Sequence, residues 1–304
     1  MKLTFLPLAI GLALFVGVVL GQQQQPGRAA DPRSMGGGDC RDNSYNCAET
    51  SNPIATPDTV WLEEMTWMDV RDALKAGKRT IVIPTGGIEP NGPWLATGKH
   101  NYVLHANCDA IVRKLGNALC APIVKFVPEG NYSTKAGHMG SPGTITMKEE
   151  TYRAILEDIA RSLQTHGFEN IIFIGDSGGN QAGQKAVAEK LNAEWSGKTV
   201  VAHIAEYYDY AGVAKYMADQ GLIKQGQSDN IHDDPIITLN MFVDNPNSVR
   251  FNERVKTAKA TINGVDVSNR ARNTELGKRI VEFRANVAVQ AIKKAIATKG
   301  KPTN

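Results

Sequence analysis

Asn170-Ile-Ile-Phe-Ile-Gly175-Asp-Ser-Gly-Gly-Asn180 is the stretch that decides the fold. An unbroken apolar run bounded by a glycine-rich turn reads as a strand buried on both faces, and Gln181–Leu191 beyond it reads as a helix. The same grammar recurs upstream. Arg79-Thr-Ile-Val-Ile-Pro84 is a second short apolar strand, preceded by a helical pattern over Met65–Leu74 that stops at Gly77. Further segments follow in alternation: a helix at Tyr102–Leu115, a strand at Ile123–Val127, and a long amphipathic helix at Lys148–His166 closed by Gly167. Thr199–Ile204 reads as another strand, and Thr274–Ala297 as a closing helix with Leu276, Ile280, Phe283 and Val287 on one face. Strands alternating with helices imply βαβ units. The expectation is a three-layer α/β domain over residues 58–304, its largely parallel sheet covered by helices on both faces.

Composition narrows the function. Of 304 residues, 42% are hydrophobic and 21% charged, which supports a packed core and argues against a disordered or multi-span chain. Lys and Arg number 34 against 31 Asp and Glu, interspersed, so no electrostatic footprint for nucleic acid or anionic lipid is present. Lys2, the apolar run Leu3–Leu20, Gly21 and the polar Gln22–Gln25 describe a secretory signal peptide over residues 1–21. A cut after Ala30 is the alternative, and an uncleaved anchor the plainer reading. The protein is therefore expected to be exported, periplasmic or secreted, with no stable membrane association once the signal is cut. Residues 22–57, rich in Gln, Gly, Asn, Asp and Pro, read as an irregular arm. In an oxidising compartment four cysteines favour disulfides. Three pairings are open, of which the local one, Cys40–Cys47 with Cys108–Cys120, is expected.

In parallel sheets ligands collect at the carboxyl ends of strands. Two polar loops stand there: Pro84-Thr-Gly-Gly-Ile-Glu89 and Gly175–Asn180. Gly175-Asp-Ser-Gly-Gly179 matches the nucleophile motif of chymotrypsin-like proteases, but those are all-β, and here the motif joins a βαβ strand to a helix. A triad is recognised by geometry and context, and this context excludes it.

Val82-Ile-Pro-Thr-Gly-Gly-Ile-Glu89-Pro-Asn91-Gly-Pro-Trp94-Leu resembles the first motif of the creatininase (creatinine amidohydrolase) family, P-x-G-x-x-E-x-H-G-P-H-L. His138-Met-Gly-Ser-Pro-Gly-Thr144-Ile resembles its H-x-x-F-P-G-T segment, and Asn170–Asn180 its strand ending in N-G-H-G-G-N. Trp61-Leu-Glu-Glu-Met-Thr-Trp67 suits the opening segment, and the order holds from about residue 59 to 192. The resemblance implies an α/β fold, often a hexamer, that hydrolyses C–N bonds of small amides with divalent metals at the strand ends. Several ligand positions depart from the pattern. Glu89 is kept, but Asn91, Trp94, His100 and Ser177 stand where the family has histidine, histidine, aspartate and histidine.

A remodelled site follows. Glu89, His100 and Asp176 are expected to hold one divalent ion, zinc or manganese, with His100 at the family's spacing beyond Glu89. Glu89, His138 and His232 are the candidate catalytic groups; Asn91, Trp94, Ser177 and Asn180 are the candidate substrate contacts. Each has a plainer role: a loop-bonding carboxylate for Glu89, loop hydrogen bonds for His100 and His138, an exposed turn for His232 beside Asp233 and Asp234, a pocket wall for Trp94. His105, His166 and His203 read as structural. The leading reading is a small-molecule amide or cyclic-amide hydrolase, assembled as a homo-oligomer, a hexamer by resemblance. The alternatives are a non-catalytic binding protein on the same fold and a metal-free hydrolase or lyase using histidines.

Overall fold

A computed structural model describes Ala29, residues 31–228 and residues 232–300. The expected signal peptide lies outside the described residues. The chain divides into two compact units, one ending at Pro53 and the other starting at Ile54. The described part of the first is irregular apart from a 3-10 turn at Ser44–Asn46, capped by Asn43, and the Cys40–Cys47 disulfide.

The second unit runs α1 (Trp67–Lys75), β1 (Thr80–Thr85), α2 (Lys99–Leu115), β2 (Ala118–Cys120), β3 (Gly130–Asn131), β4 (Ala136–Gly137) and α3 (Glu149–Thr165). It continues with β5 (Asn170–Gly175), α4 (Gln181–Trp195), β6 (Val200–His203), α5 (Tyr210–Asp219) and α6 (Pro235–Asp244). Last come α7 (Phe251–Lys256), β7 (Thr261–Ile262), β8 (Val265–Asp266) and α8 (Arg270–Ala297). Local chemistry sets the ends. Thr66 and Asp69 form a reciprocal capping box at the start of α1, and Asp234 caps α6 by accepting from the Ile236 and Ile237 amides.

Four strands form the central sheet in the order β2-β1-β5-β6, all parallel. Alternation along the strands builds two cores. Ile81, Ile83, Ile171, Phe173 and Val201 face α3 and α4, packing on Tyr152, Leu156, Val187 and Leu191. Val82, Ile172, Ile174 and Ala202 face α2 and α8, packing on Leu104, Ile111, Ala288 and Ile292. This is the three-layer arrangement that the sequence implies. A third apolar cluster joins α5 and α6 to the far side of α2 and α8 through Val103, Val213, Met217, Leu239 and Ile280. The Cys108–Cys120 disulfide ties α2 to β2, so both local pairings hold.

Three details differ from the sequence reading. The strand expected at Ile123–Val127 is Ala118–Cys120 instead. Pro122 has no N–H to donate, so the ladder breaks, and the chain touches the sheet again through the isolated pairing of Val124 with Thr85. Helix α6 carries no amphipathic period to read; its Ile236, Ile237, Leu239, Met241 and Phe242 are buried on every side. The buried stripe of α8 runs through Leu276, Ile280, Arg284 and Ala288, leaving Phe283 and Val287 half-buried at its margin. Among the described residues no helix is long and apolar enough to cross a membrane.

Strand order reverses between β1 and β5, because the chain leaves β1 toward β2 and later returns on the other side. Such a switch point opens a crevice at the carboxyl ends of the two strands. The loops after β1 and β5 meet there.

Candidate active site

The crevice has a buried floor. Glu89 follows β1 and is 2% exposed; His100 lies in the first turn of α2; Glu129 stands just before β3; Asp176 and Ser177 follow β5. Two glycines allow this convergence. A Cβ at Gly87 would meet a Glu129 carboxylate oxygen at 2.1 Å, and one at Gly179 would meet the Pro128 carbonyl at 2.1 Å. The second contact lays the segment that carries Glu129 against the turn after β5.

His100 is the pivot. Its Nδ1 hydrogen-bonds Asp176 Oδ2 at 2.9 Å, while Nε2 lies 3.1 Å from Glu89 Oε1 without the alignment of a hydrogen bond. Asp176 is wholly buried and saturated. It accepts from Arg284 at 2.7 Å and from the Tyr210 hydroxyl at 2.9 Å, and Arg284 also bonds the Tyr207 carbonyl. Burial opposes the Asp176 charge, but Arg284 and His100 hold its pKa lowered. Asp176 therefore orients the imidazole from behind and has no oxygen left for an ion. Of the expected set of Glu89, His100 and Asp176, Asp176 thus serves the imidazole, and the carboxylate that comes together with Glu89 and His100 is Glu129.

Glu89, His100 and Glu129 bring one ligand atom each within 4.8 Å of one another. Two of the atoms there, His100 Nε2 and Glu129 Oε1, are buried polar atoms with no hydrogen-bond partner. A buried acceptor without a partner is costly, and a cation satisfies an imidazole lone pair and a carboxylate oxygen alike. An imidazole whose other nitrogen is held by a buried carboxylate is the usual arrangement behind a metal-bound histidine. One imidazole and two carboxylates are a donor set that suits zinc or manganese. The residues fit a divalent ion.

A second donor group shares Glu89. His138 and His232, each with a side chain about a third exposed, form the mouth above the floor and stand 5.4 Å apart edge to face. His138 Nδ1 sits between Glu89 Oε2 at 2.9 Å and Glu129 Oε2 at 3.1 Å, and His232 Nε2 lies 3.7 Å from Glu89 Oε1. Glu89, His138 and His232 likewise fall within 4.8 Å.

The charges differ sharply from group to group. Burial works against ionised Glu89, but His100 and Lys99 overcome it and its pKa is lowered. Glu129 goes the other way: burial and the nearby Glu89 charge push it up to about 7. Burial disfavours charge on His100 too, yet its hydrogen bond to Asp176 and the adjacent Glu89 carboxylate raise its pKa. For His232, burial and the Lys99 ammonium lower it, which leaves a neutral imidazole at the mouth.

The expected substrate contacts separate. Asn180 is buried, its amide donating to the Thr85 and Gly86 carbonyls, and Asn91 is buried, donating to the Glu89 and Ala96 carbonyls. Both shape the loops and present no surface to a ligand. Ser177 Oγ lies 3.4 Å from Glu129 Oε2, inside the floor. Trp94 is half-buried under the Arg254 guanidinium, 5.3 Å from its ring centre, and Arg254 bonds Asp233 beside His232. It is a wall at the mouth's edge. His105 stacks on Trp61 and bonds Asp244, and His203 bonds Gln181, both away from the floor.

Glu129 and Lys99 escaped the sequence reading. Glu129 stands two residues past the apolar run Ile123–Val127, as Glu89 and Asp176 stand just past theirs. Lys99 opens a helix, where a cation is disfavoured by the dipole unless something pairs it. Its Nζ is 2.7 Å from Glu89 Oε1.

The family model described as Creatininase, creatinine amidohydrolase, matches residues 63–303. The chain belongs to the creatininase family. Among curated relatives, a 3-dehydro-scyllo-inosose hydrolase of Thermotoga maritima is 27% identical over 122 residues, 40% of this chain and 37% of that protein. A creatinine amidohydrolase of Pseudomonas putida is 23% identical over 116 residues, 38% of this chain and 44% of that protein. The matched stretch thus spans less than half the length of each. A solved creatininase of Zn-Zn type superposes with a TM-score of 0.54 at 19% identity, covering 81% of this chain and all of that one. A manganese creatininase gives 0.53 at 20% identity with the same coverage. These likenesses establish the α/β fold.

Proposed function

We propose that this creatininase-family protein is an exported hydrolase that cleaves a C–N bond in a small amide or cyclic amide by means of a metal-activated water. The observation that carries the reading is the pair of orphaned buried ligand atoms, His100 Nε2 and Glu129 Oε1, beside Glu89 at a sheet switch point. Glu89, His100 and Glu129 would hold the ion. When bound, it lowers the pKa of a water and polarises the amide carbonyl. Asp176, fixed by Arg284 and Tyr210, holds the ring nitrogen of His100 that faces away from the floor. His138 and His232 line the way in. With its pKa lowered by burial and Lys99, His232 can take a proton at Nε2 and return it to the leaving nitrogen. The Trp94 ring supplies an apolar wall against which a flat, small substrate can rest.

Support for C–N cleavage comes from the family description and from the Pseudomonas putida relative's name. The reading includes a homo-oligomer, hexameric by resemblance, and no nucleic-acid partner. Mature protein purified from the cell exterior or periplasm, tested on a panel of cyclic amides with and without chelator, decides it. Chelator-sensitive ring opening is the expected result. Turnover that resists chelation would favour histidine-only chemistry, and metal-loaded protein with ligand binding but no turnover would favour a binding protein.

A further inference from the structure

We propose that Arg254 is a positioning residue that ties together the two sides of the mouth, the loop carrying His232 and the loop carrying Trp94, and so holds His232 over Glu89. The inference rests on the hydrolase reading above. Arg254 lies on α7, and its side chain is 2% exposed. A guanidinium that dry needs partners for its charge and its donors. Its Nε donates to the Val249 carbonyl at 2.9 Å, its Nη2 donates to Asp233 Oδ1, and the fork stands 5.3 Å from the centre of the Trp94 ring. Two of these three partners belong to the mouth.

His232 needs such support. Its Nε2 comes within 3.7 Å of Glu89 Oε1, beyond hydrogen-bond reach, so the place of the ring depends on the backbone that carries it. Asp234 secures the start of α6 by accepting from the Ile236 and Ile237 amides. The Asp233–Arg254 pair is a second anchor, one residue nearer His232. Across the mouth, the Ala96 N–H donates to the Ser248 carbonyl at 2.8 Å, and the Glu89 N–H donates to the Thr97 carbonyl at 3.0 Å. The loop behind Trp94 thus joins the segment before α7 to Glu89 itself. Arg254 closes that circuit back to His232. Its flat fork can lie against a ring while bonding a carbonyl and a carboxylate, which the point charge of a lysine cannot do.

Hydrogen–deuterium exchange of wild type, Arg254→Met and Asp233→Ala reads the tie directly, with circular dichroism as the check on folding. In Arg254→Met, peptides covering residues 93–98 and 232–239 should both exchange about tenfold faster, and in Asp233→Ala only the second. Arg254→Gln replaces Arg254→Met if the latter does not fold. Unchanged exchange at residues 232–239 in a folded variant would overturn the proposal. Kinetics on the cyclic amide that the wild type opens then separate positioning from packing. Arg254→Met should lower kcat about 10–100-fold and raise KM through Trp94. Manganese affinity should stay unchanged, because the partners of Arg254 lie at the rim and not on the floor. In a His232→Ala background the same substitution should lower kcat no further. An additional loss of kcat there, or a fall in manganese affinity that matches the fall in kcat, would overturn the proposal. No turnover by the wild type would instead overturn the hydrolase reading, and the exchange rates would still decide the tie.

Discussion

Asp176→Asn separates the structural and metal-supporting roles of the buried charge behind His100. Asp176 is wholly buried and pairs with Arg284, itself 2% exposed, at 2.7 Å. Removing one partner of a buried ion pair strands the other, and the cost is about 3–5 kcal/mol. For a domain of this size each kcal/mol moves the melting temperature by roughly 2 °C, so a fall of roughly 6–10 °C is expected. The Asn oxygen can still accept from His100, but it carries no charge to stiffen or polarise the ring. Loss of such support behind a ligand weakens metal affinity by about 10–100-fold. The double variant Asp176→Asn/Arg284→Met no longer strands a cation. It should recover about 2 kcal/mol or more relative to the sum of the single losses, while metal affinity stays low. The assays are thermal melts of the metal-free proteins and calorimetric manganese titration. Additive losses in the double variant, or an Asp176→Asn protein within about 1 kcal/mol of wild type, would refute the reasoning.

Two further outcomes follow from the same site and one from outside it. Glu129→Gln should lower manganese affinity beyond the roughly 100-fold ceiling typical of supporting residues, because a direct ligand is lost; calorimetric titration reads this, and unchanged affinity would remove Glu129 from the set. In the wild type Glu129 holds a proton below about pH 7 and must release it to bind an ion, so affinity should climb through that range, and the climb should flatten in Glu129→Gln. At His105 the Asp244 hydrogen bond raises the pKa above the unfolded value. That stabilisation is complete below the unfolded histidine pKa of about 6.5 and disappears as pH rises through the folded value. Melts of wild type and His105→Gln should therefore differ most near pH 5 and converge in alkali; a constant difference would count against the pair.

The sheet was legible because its strands carry their own signature. Ile81–Ile83 and Ile171–Ile174 are continuous apolar runs, and such runs have one plausible use in an alternating βαβ chain. What the local pattern hid was set by tertiary surroundings. The strand shift to Ala118–Cys120 turned on one missing donor at Pro122, and α6 was concealed because burial on all sides erases periodicity. At the site, Glu89 and His100 are read from motif and spacing, and their side chains lie 3.1 Å apart. Asp176 was placed correctly at a strand end, but its role depended on Arg284, 108 residues later in the chain, which spacing around Asp176 cannot show. Arg284 had its own signal. It stands four residues after Ile280 and four before Ala288 on the buried stripe of α8, and a charge there demands a buried partner. For Asn91 and Asn180 an amide in a polar loop serves a ligand or the loop's own carbonyls equally well, and only the fold shows that their amide nitrogens donate to the loop.

The most direct test of the account is the position of the ion. Crystals of the mature protein grown with manganese, measured for anomalous scattering, should show one peak per chain bonded to Glu89, His100 Nε2 and Glu129, with Asp176 bonded to the far nitrogen of His100 and not to the metal. A peak bonded to Asp176, or no peak between Glu89, His100 and Glu129, would contradict it.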